Sequence, residues 1–301
     1  MLRKFYKDNF SYFICRYAPS FLYPFILKIR YFIKMKRKLD LKNPLSFSEK
    51  IQYIKLGLLN DSEKCLCTDK ISVKAEIKKK VPTLKVADVY QICNSFDEID
   101  FEKLPNSFVI KTNHYCGSNF FVKEKKYLNS YIMKKLKKYY NTILRRNFAY
   151  EAYFEMQYKN IKPQILVEEY IGDINKNICL EYKVHCFNEK VMYIVVNYKF
   201  LNGNRYTYDT KLYYIDKSCI GQIPENKIIN PKTENKKFIH NFEDAIKYSE
   251  ILCKGHKLVR VDLYCVDGIL YFGELTFTPN SGFFEKMNHS MDLFTGKFLS
   301  V

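Results

Sequence analysis

The residues best placed to do chemistry lie near the end of this 301-residue chain. LVRVDLYCV (258–266), Asp267-Gly268 and ILYFGELTF (269–277) read as a β-hairpin, two β-rich runs joined by a dipeptide suited to a tight turn. Asp262 lies in the first arm and Glu274 in the second. The arms are of similar length, so the carboxylates can lie near one another across the pair. Two such acids repel unless a cation separates them, and Mg2+ prefers oxygen ligands of this kind together with phosphate oxygens. Arg260, two residues from Asp262, shares its face. Two carboxylates, a cation and an arginine suggest a nucleotide-phosphate site. Spacing alone weighs that reading evenly against solvent-facing acids. Lys111 ends the apolar run of FVIKTNHYCGSN and faces a loop whose backbone N–H groups could help bind an anion. Taken alone, Lys111 reads better as a strand-edge lysine.

Other chemistries lack their residues. The ten glycines form no GxGxxG and no GxxxxGK[ST], so a standard dinucleotide fold or P-loop is unsupported. There is no GxSxG elbow. Cys65 and Cys67 form a CxC, and the five histidines make no HExxH, which argues against zinc. The ten cysteines read as reduced, mostly buried thiols.

The elements that must position these residues are mixed. SFSEKIQYIKLGLLN (46–60) reads as a helix with Ser46 and Glu49 as a capping box, and 69–80 as another that Pro82 ends. Residues 95–104 read as a short helix or turn, and 125–158 as a long helical stretch. Strands are expected at 108–112, 119–123 and 164–171. An antiparallel meander is expected over 180–187, 191–200 and 210–216, with a turn at 202–204. Residues 241–255 read as a helix closed by Gly255. The class is α+β with mixed, largely antiparallel sheets.

The net charge of +18 is concentrated. Residues 1–42 carry eleven basic side chains against two acidic, and 123–146 carry nine against one, leaving the remainder near neutral. Lysine outnumbers arginine 42 to 8, which disfavours nucleic acid as a partner, because base readout and phosphate forks favour arginine. Residues 10–39 mix aromatics with basic side chains. Pro19 and Pro24 interrupt any single apolar stripe, which favours a helical layer docked on the core over an interfacial segment. The charge interleaved with aromatics still motivates contact between residues 1–42 and an anionic membrane or a lipid-linked glycan. No apolar run reaches the ~20 residues of a membrane span and no signal-peptide pattern is seen. The expected location is cytoplasmic, with peripheral contact at the inner face of the cytoplasmic membrane.

Taken together, LKNPLSFSEK, SFDEIDFEKLPNSFVIKTNH, YKNIKPQILVEEYI, EYKVHCFN, LVRVDLY and YFGELTFTPNSGF occur in an order that resembles the TupA-like ATP-grasp proteins found with bacterial surface-polysaccharide biosynthesis. The likeness runs from about residue 39 to the end. It implies an ATP-grasp fold: a helical basic region over 1–80, a subdomain with a phosphate loop over 81–163, and a subdomain with hinge and metal site over 164–301. It implies that Lys111 contacts ATP phosphates and that His114, Gly117, Ser118 and Lys123 belong to or flank the phosphate-covering loop. Relatives have more glycine there, whereas here only Gly117 remains, beside Tyr115 and Cys116. Glu168, Glu169, Tyr170 and Ile171 resemble the adenine hinge. Glu181 resembles the ribose-holding acid, and Lys183 is a further phosphate candidate. Asp262 and Glu274 look like Mg2+ ligands, with Thr276 where many ATP-grasp enzymes have asparagine, and Arg260 like the residue that steadies the transferred phosphoryl group. The implied reaction is ATP-dependent joining of a carboxylate, from a uronic acid or an amino acid, to an amine. The rival readings are a glycosyltransferase-like enzyme and a non-catalytic protein that binds anionic membrane or nucleic acid.

Overall fold

In the computed structural model, residues 9–58, 61–151, 153–172, 178–202, 205–214 and 241–301 are described. Their strands divide between two sheets. Apolar and polar residues alternate from Leu180 to Phe187 and from Leu258 to Val266, and these become neighbouring antiparallel strands of the larger sheet. With β1 (Lys85–Val86), β6 (Ile178–Phe187), β7 (Lys190–Asn202), β8 (Arg205–Tyr214), β9 (Leu258–Val266) and β10 (Ile269–Thr276), the sheet has the order β1-β10-β9-β6-β7-β8. Among the described residues only β1 pairs in parallel, on β10. The smaller sheet, β2-β5-β3-β4, comprises β2 (Val89–Cys93), β3 (Phe108–Thr112), β4 (Phe120–Val122) and β5 (Ile165–Glu168). The class is α+β, as expected.

Each sheet buries one apolar face. Tyr182, Val184, Ile194, Val196, Val261 and Leu263 belong to the larger core, with Ala245 and Leu252 of helix α8 (Phe242–Leu252). Gly255, at φ +78°, turns the chain out of α8 as expected. In the smaller core, Phe108, Ile110, Ile165 and Val167 pack against Leu136 and Tyr140 of α6 (Ser130–Ile143).

The remaining helices are α1 (Asn9–Tyr17), α2 (Tyr23–Met35), α3 (Phe47–Gly57), α4 (Ser62–Thr68), α5 (Ser72–Lys80), α7 (Phe148–Glu151) and α9 (His289–Gly296). At α3 both arms of the expected capping box form: Ser46 Oγ accepts from the Glu49 N–H, and the Glu49 carboxylate from the Ser46 N–H. Two expectations need correction. The stretch 125–158 is not one helix: α6 ends at Ile143, α7 is a single turn, and Tyr153 and Phe154 take positive φ values that no continuous helix allows. Helix α4 was not anticipated, being short and without a clear apolar period. The turn expected at 202–204 and the last two residues of the strand expected at 210–216 fall at or beyond the limits of the described residues. Cys15, Cys65, Cys67, Cys93, Cys116, Cys186, Cys253 and Cys265 are free thiols, six of them buried. Among the described residues no helix is long and apolar enough to cross a membrane.

Candidate functional site

The terminal hairpin carries the centre of the site, and a bulge decides its chemistry. From Ile269↔Val266 to Phe272↔Leu263 the two arms pair regularly. Continued unbroken, that register would set Gly273 opposite Asp262 and turn Glu274 toward the apolar core. Instead Gly273 is the extra residue, and Glu274 pairs with Asp262, Leu275 with Val261 and Thr276 with Arg260. Only glycine fits: a Cβ at 273 would lie 2.8 Å from the Asp262 carbonyl oxygen and 2.8 Å from the Tyr264 ring. The two carboxylates therefore share a face because of one inserted residue.

That face is the polar side of the larger sheet. Arg260 grips Asp262 with a fork, Nε to Oδ1 at 2.6 Å and Nη2 to Oδ2 at 2.7 Å. Its Nη2 also donates to Thr276 Oγ1 at 3.2 Å and lies 3.5 Å from Glu274 Oε1. Thr276 in turn donates to Glu274 Oε1 at 3.1 Å. The cation between the two acids is thus Arg260 itself. Burial works against its charge, but Asp262 outweighs this and holds the guanidinium firmly protonated. Lys183, register partner of Asp262, bridges Asp262 Oδ2 and Glu181 Oε1, each at 3.2 Å. Burial opposes that charge too, and Asp262 and Glu181 together outweigh it, raising Lys183 above the usual lysine range. Glu181 also accepts from Asn197 Nδ2 at 3.0 Å. His185, opposite Arg260, stacks on Tyr193 and is kept neutral by burial, Arg260 and Lys183.

The smaller sheet supplies a second surface. Val109 pairs with both Phe121 and Glu168, and Lys111 with Leu166, so these five side chains share one face. Of these, Val109 and Leu166 are buried and Phe121 is exposed, with Lys111 and Glu168 at the polar margin. Glu168 pairs with Lys111 and also with Lys74 of α5, at 2.9 Å. Burial works to raise its carboxyl, and the two lysines outweigh burial and lower it. Tyr170 meets Phe121 edge-on at 6.0 Å, and Glu169 exchanges hydrogen bonds with the backbone of Asp88. Ile171 is half-buried beside them, as is Lys123 just past β4.

The loop 113–118 connects β3 to β4. Its beginning is tied to the α4–α5 corner: Asn113 Nδ2 donates to Asp69 Oδ1 at 3.0 Å, and Lys70 Nζ to the Tyr115 carbonyl at 3.0 Å. Its end is closed by Ser118 Oγ, which accepts from the Thr112 N–H at 3.0 Å. Gly117, at φ +74°, makes the bend. His114 points away from the cleft, its Nε2 near the Ile143 and Arg146 carbonyls, and burial pushes its pKa down to about 4. Cys116 is open to solvent, and its thiol lies near enough to Glu274 to feel that charge. The loop therefore faces the terminal hairpin.

Behind Glu274 lies a buried pair. Glu155 accepts from Thr278 Oγ1 at 2.6 Å, and Lys55 donates to Ser281 Oγ at 2.9 Å. Burial raises the acid and lowers the lysine. Asn280, Ser281 and Gly282 all take positive φ, and Gln52 of α3 donates to the Ser281 and Gly282 carbonyls at 3.0 and 2.9 Å. Helix α3 and the TPNSGF turn, distant in sequence, so close on each other.

The structure thus brings together Glu181, Lys183, Arg260, Asp262, Glu274 and Thr276 on one sheet face and Lys111 with Glu168 on the other. It turns His114 and Ser118 inward to hold the loop. Sequence reasoning missed Lys70, Lys74, Phe121 and Glu155. Lys70 and Lys74 are one helical turn apart on the expected helix 69–80, which was the available signal; Glu155 carried none. Among the described residues no group of three or more His, Cys, Asp or Glu is arranged to hold a metal. A cation at Asp262 and Glu274 would take its other oxygens from phosphate and water, which suits Mg2+.

No curated protein matches the sequence. Similar solved structures include the ATP complex of D-alanine–D-alanine ligase from Bacillus anthracis, at 17% identity and TM-score 0.39, covering 75% of this chain and 58% of that one. The D-alanine–D-alanine ligase from Helicobacter pylori is similar at 16% identity and TM-score 0.41, covering 78% and 62%. The ATP-grasp ligase PsnB with its minimal precursor is similar at 12% identity and TM-score 0.40, covering 76% and 60%. The chain spans about 60% of the length of these proteins. The TupA-like ATPgrasp family matches residues 49–300, and the chain belongs to that family.

Proposed function

We propose that this protein is an ATP-dependent carboxylate–amine ligase that modifies a bacterial surface polysaccharide or its precursor. The observation that carries the reading is the row of Lys183, Arg260, Asp262, Glu274 and Thr276 on one sheet face, opposite the loop 113–118 that follows Lys111 of β3. In this reading adenine lies against the exposed Phe121 ring at the edge of this face, and the Glu169–Ile171 backbone meets its edge. Lys111, positioned by Glu168, and Lys183 meet the phosphates, and Glu181 meets the ribose. Asp262 and Glu274, with the Thr276 hydroxyl, would hold Mg2+, which neutralises phosphate charge when bound. The substrate carboxylate attacks the γ-phosphorus and the bond to the β-phosphate oxygen breaks, giving an acyl phosphate and ADP. The amine then attacks the acyl carbon, phosphate leaves, and the nitrogen loses a proton as the amide forms. Arg260 steadies the transferred group, so catalysis is positioning and charge stabilisation without a protein nucleophile.

The test is ADP release from ATP and Mg2+ with uronic-acid or amino-acid carboxylates and a panel of amines. Asp262→Ala and Glu274→Ala should each lower it at least a hundredfold. Unchanged release in both variants would remove the assigned centre, and turnover of a sugar nucleotide without ATP would favour a glycosyltransferase. Loss of an amide-linked substituent from the surface polysaccharide when the gene is deleted would identify both substrates.

A further inference from the structure

We propose that the outer face of α1 and α2 is a docking surface for an anionic lipid bilayer. Both helices are two-faced. In α2, Tyr23, Leu27, Tyr31 and Met35 are buried in the main core. On the opposite side Phe25, Ile29, Phe32 and Ile33 are 48–62% exposed, and their spacing of four, three and one sets them on one stripe. In α1, Tyr12 and Cys15 are buried, while Phe10, Phe13 and Tyr17 are at least half exposed on the other side. Phe21, 78% exposed in the short 3-10 turn between the helices, joins the two stripes. The prolines that interrupt a single long helix therefore do not remove the outer apolar face. They divide it between two helices that are already anchored from beneath.

Ten of the 22 exposed large apolar side chains among the described residues fall between Phe10 and Ile33, so this is a patch and not ordinary scatter. Its surroundings select the partner. Arg16, Lys28, Lys36, Lys38 and Lys42 are exposed on or beside these helices, and Asp40 is the one acid among described residues 9–42. A second copy of the chain would bring like charges together, whereas anionic headgroups complement them. Aromatic rings with basic side chains are the composition that settles at the headgroup boundary. Neither helix can span a bilayer, so the contact is peripheral.

The chain has no tryptophan, so Phe25→Trp creates a single fluorescent reporter in the full-length protein. With vesicles of phosphatidylcholine containing 30% phosphatidylglycerol, its emission should shift to the blue and be quenched by brominated acyl chains. Tyr131→Trp, on the exposed side of α6, should show neither. Flotation with the same vesicles should fall at least tenfold in Lys28→Glu/Lys36→Glu, in Phe13→Ser/Phe32→Ser, and for wild type in 0.5 M salt. Circular dichroism should match wild type throughout, because each altered side chain is exposed. Absence of flotation by wild type would overturn the proposal. So would flotation unaffected by both double variants, or a concentration-dependent dimer abolished by Phe13→Ser/Phe32→Ser without vesicle binding.

Discussion

Arg260 donates to both oxygens of Asp262 and approaches Glu274 to 3.5 Å. Electrostatic repulsion between the two acids therefore does not by itself require a metal, since a guanidinium already separates them. The case for Mg2+ rests on the chemistry of the donors, all oxygen, and on their place beside Lys183 and the loop 113–118. The same scale explains Glu168. Its carboxylate holds Lys111 and Lys74 together, so its part is to orient cations at the margin of the apolar surface. Phe121 belongs to that surface and is 56% exposed, with little packing to lose. Phe121→Ala should weaken ATP binding about tenfold, roughly 1.4 kcal/mol, within reach of a lost aromatic contact. Calorimetric titration with a non-hydrolysable ATP analogue measures it. Undiminished affinity at an unchanged melting temperature would move adenine elsewhere.

At the scale of elements, the bulge in β10 converts a hairpin into a site. Without it Glu274 would point at Val261, and burying an unpaired carboxylate there would cost several kcal/mol. Gly273→Ala should force the Asp262 backbone or the Tyr264 ring to give way, at about 1–3 kcal/mol for overpacking. The expected outcome is a melting temperature a few degrees lower together with at least tenfold slower ADP release. Full activity in a stably folded Gly273→Ala protein would show that the bulge does not set the carboxylate geometry. Helices α3 to α5 matter in the same way. Gln52 and Lys55 brace the positive-φ turn after β10, and Lys70 and Asp69 hold the loop 113–118. These helices frame the cleft.

At the scale of the whole molecule, burial of neutral histidines ties stability to pH. His114 and His256 are both pushed down to about 4 by burial. The ring nitrogens of His256 have no partner among the described residues, and its ring lies edge-on to Phe277 at 5.2 Å. The unfolded chain binds these protons near pH 6.5 and the folded one does not, so their contribution is complete above that value and lost as pH falls toward 4. By pH 5 each should cost about 2 kcal/mol. Urea unfolding at pH 7.5, 6 and 5 should show the decline, and His256→Phe should reduce its slope. Equal stability at pH 7.5 and 5 would contradict it. The positive charge is uneven at this scale as well, with exposed cations of the first block lying around an outward apolar face.

Much of this architecture was legible in the chain because its cues are local. The Ser46–Glu49 box, the Asp267-Gly268 turn, the alternation in β6, β7 and β9, and the glycine after α8 each act within a few residues. Arg260 and Asp262 shared a face by strand periodicity alone. Other features needed the folded chain. Whether Glu274 faced Asp262 or the core depended on one inserted glycine, which similar arm lengths could not reveal, since a shift of one residue reverses every side chain. Lys70, Lys74 and Glu155 joined the site across long stretches of sequence, and His114, in the middle of the phosphate-loop motif, turned away to bind the end of α6. Residue type and strand periodicity settle which side chains can carry charge and which strands can hold them. The tertiary structure alone decided which of them meet, because strand register, loop tethering and helix docking are set by packing between distant parts of the chain.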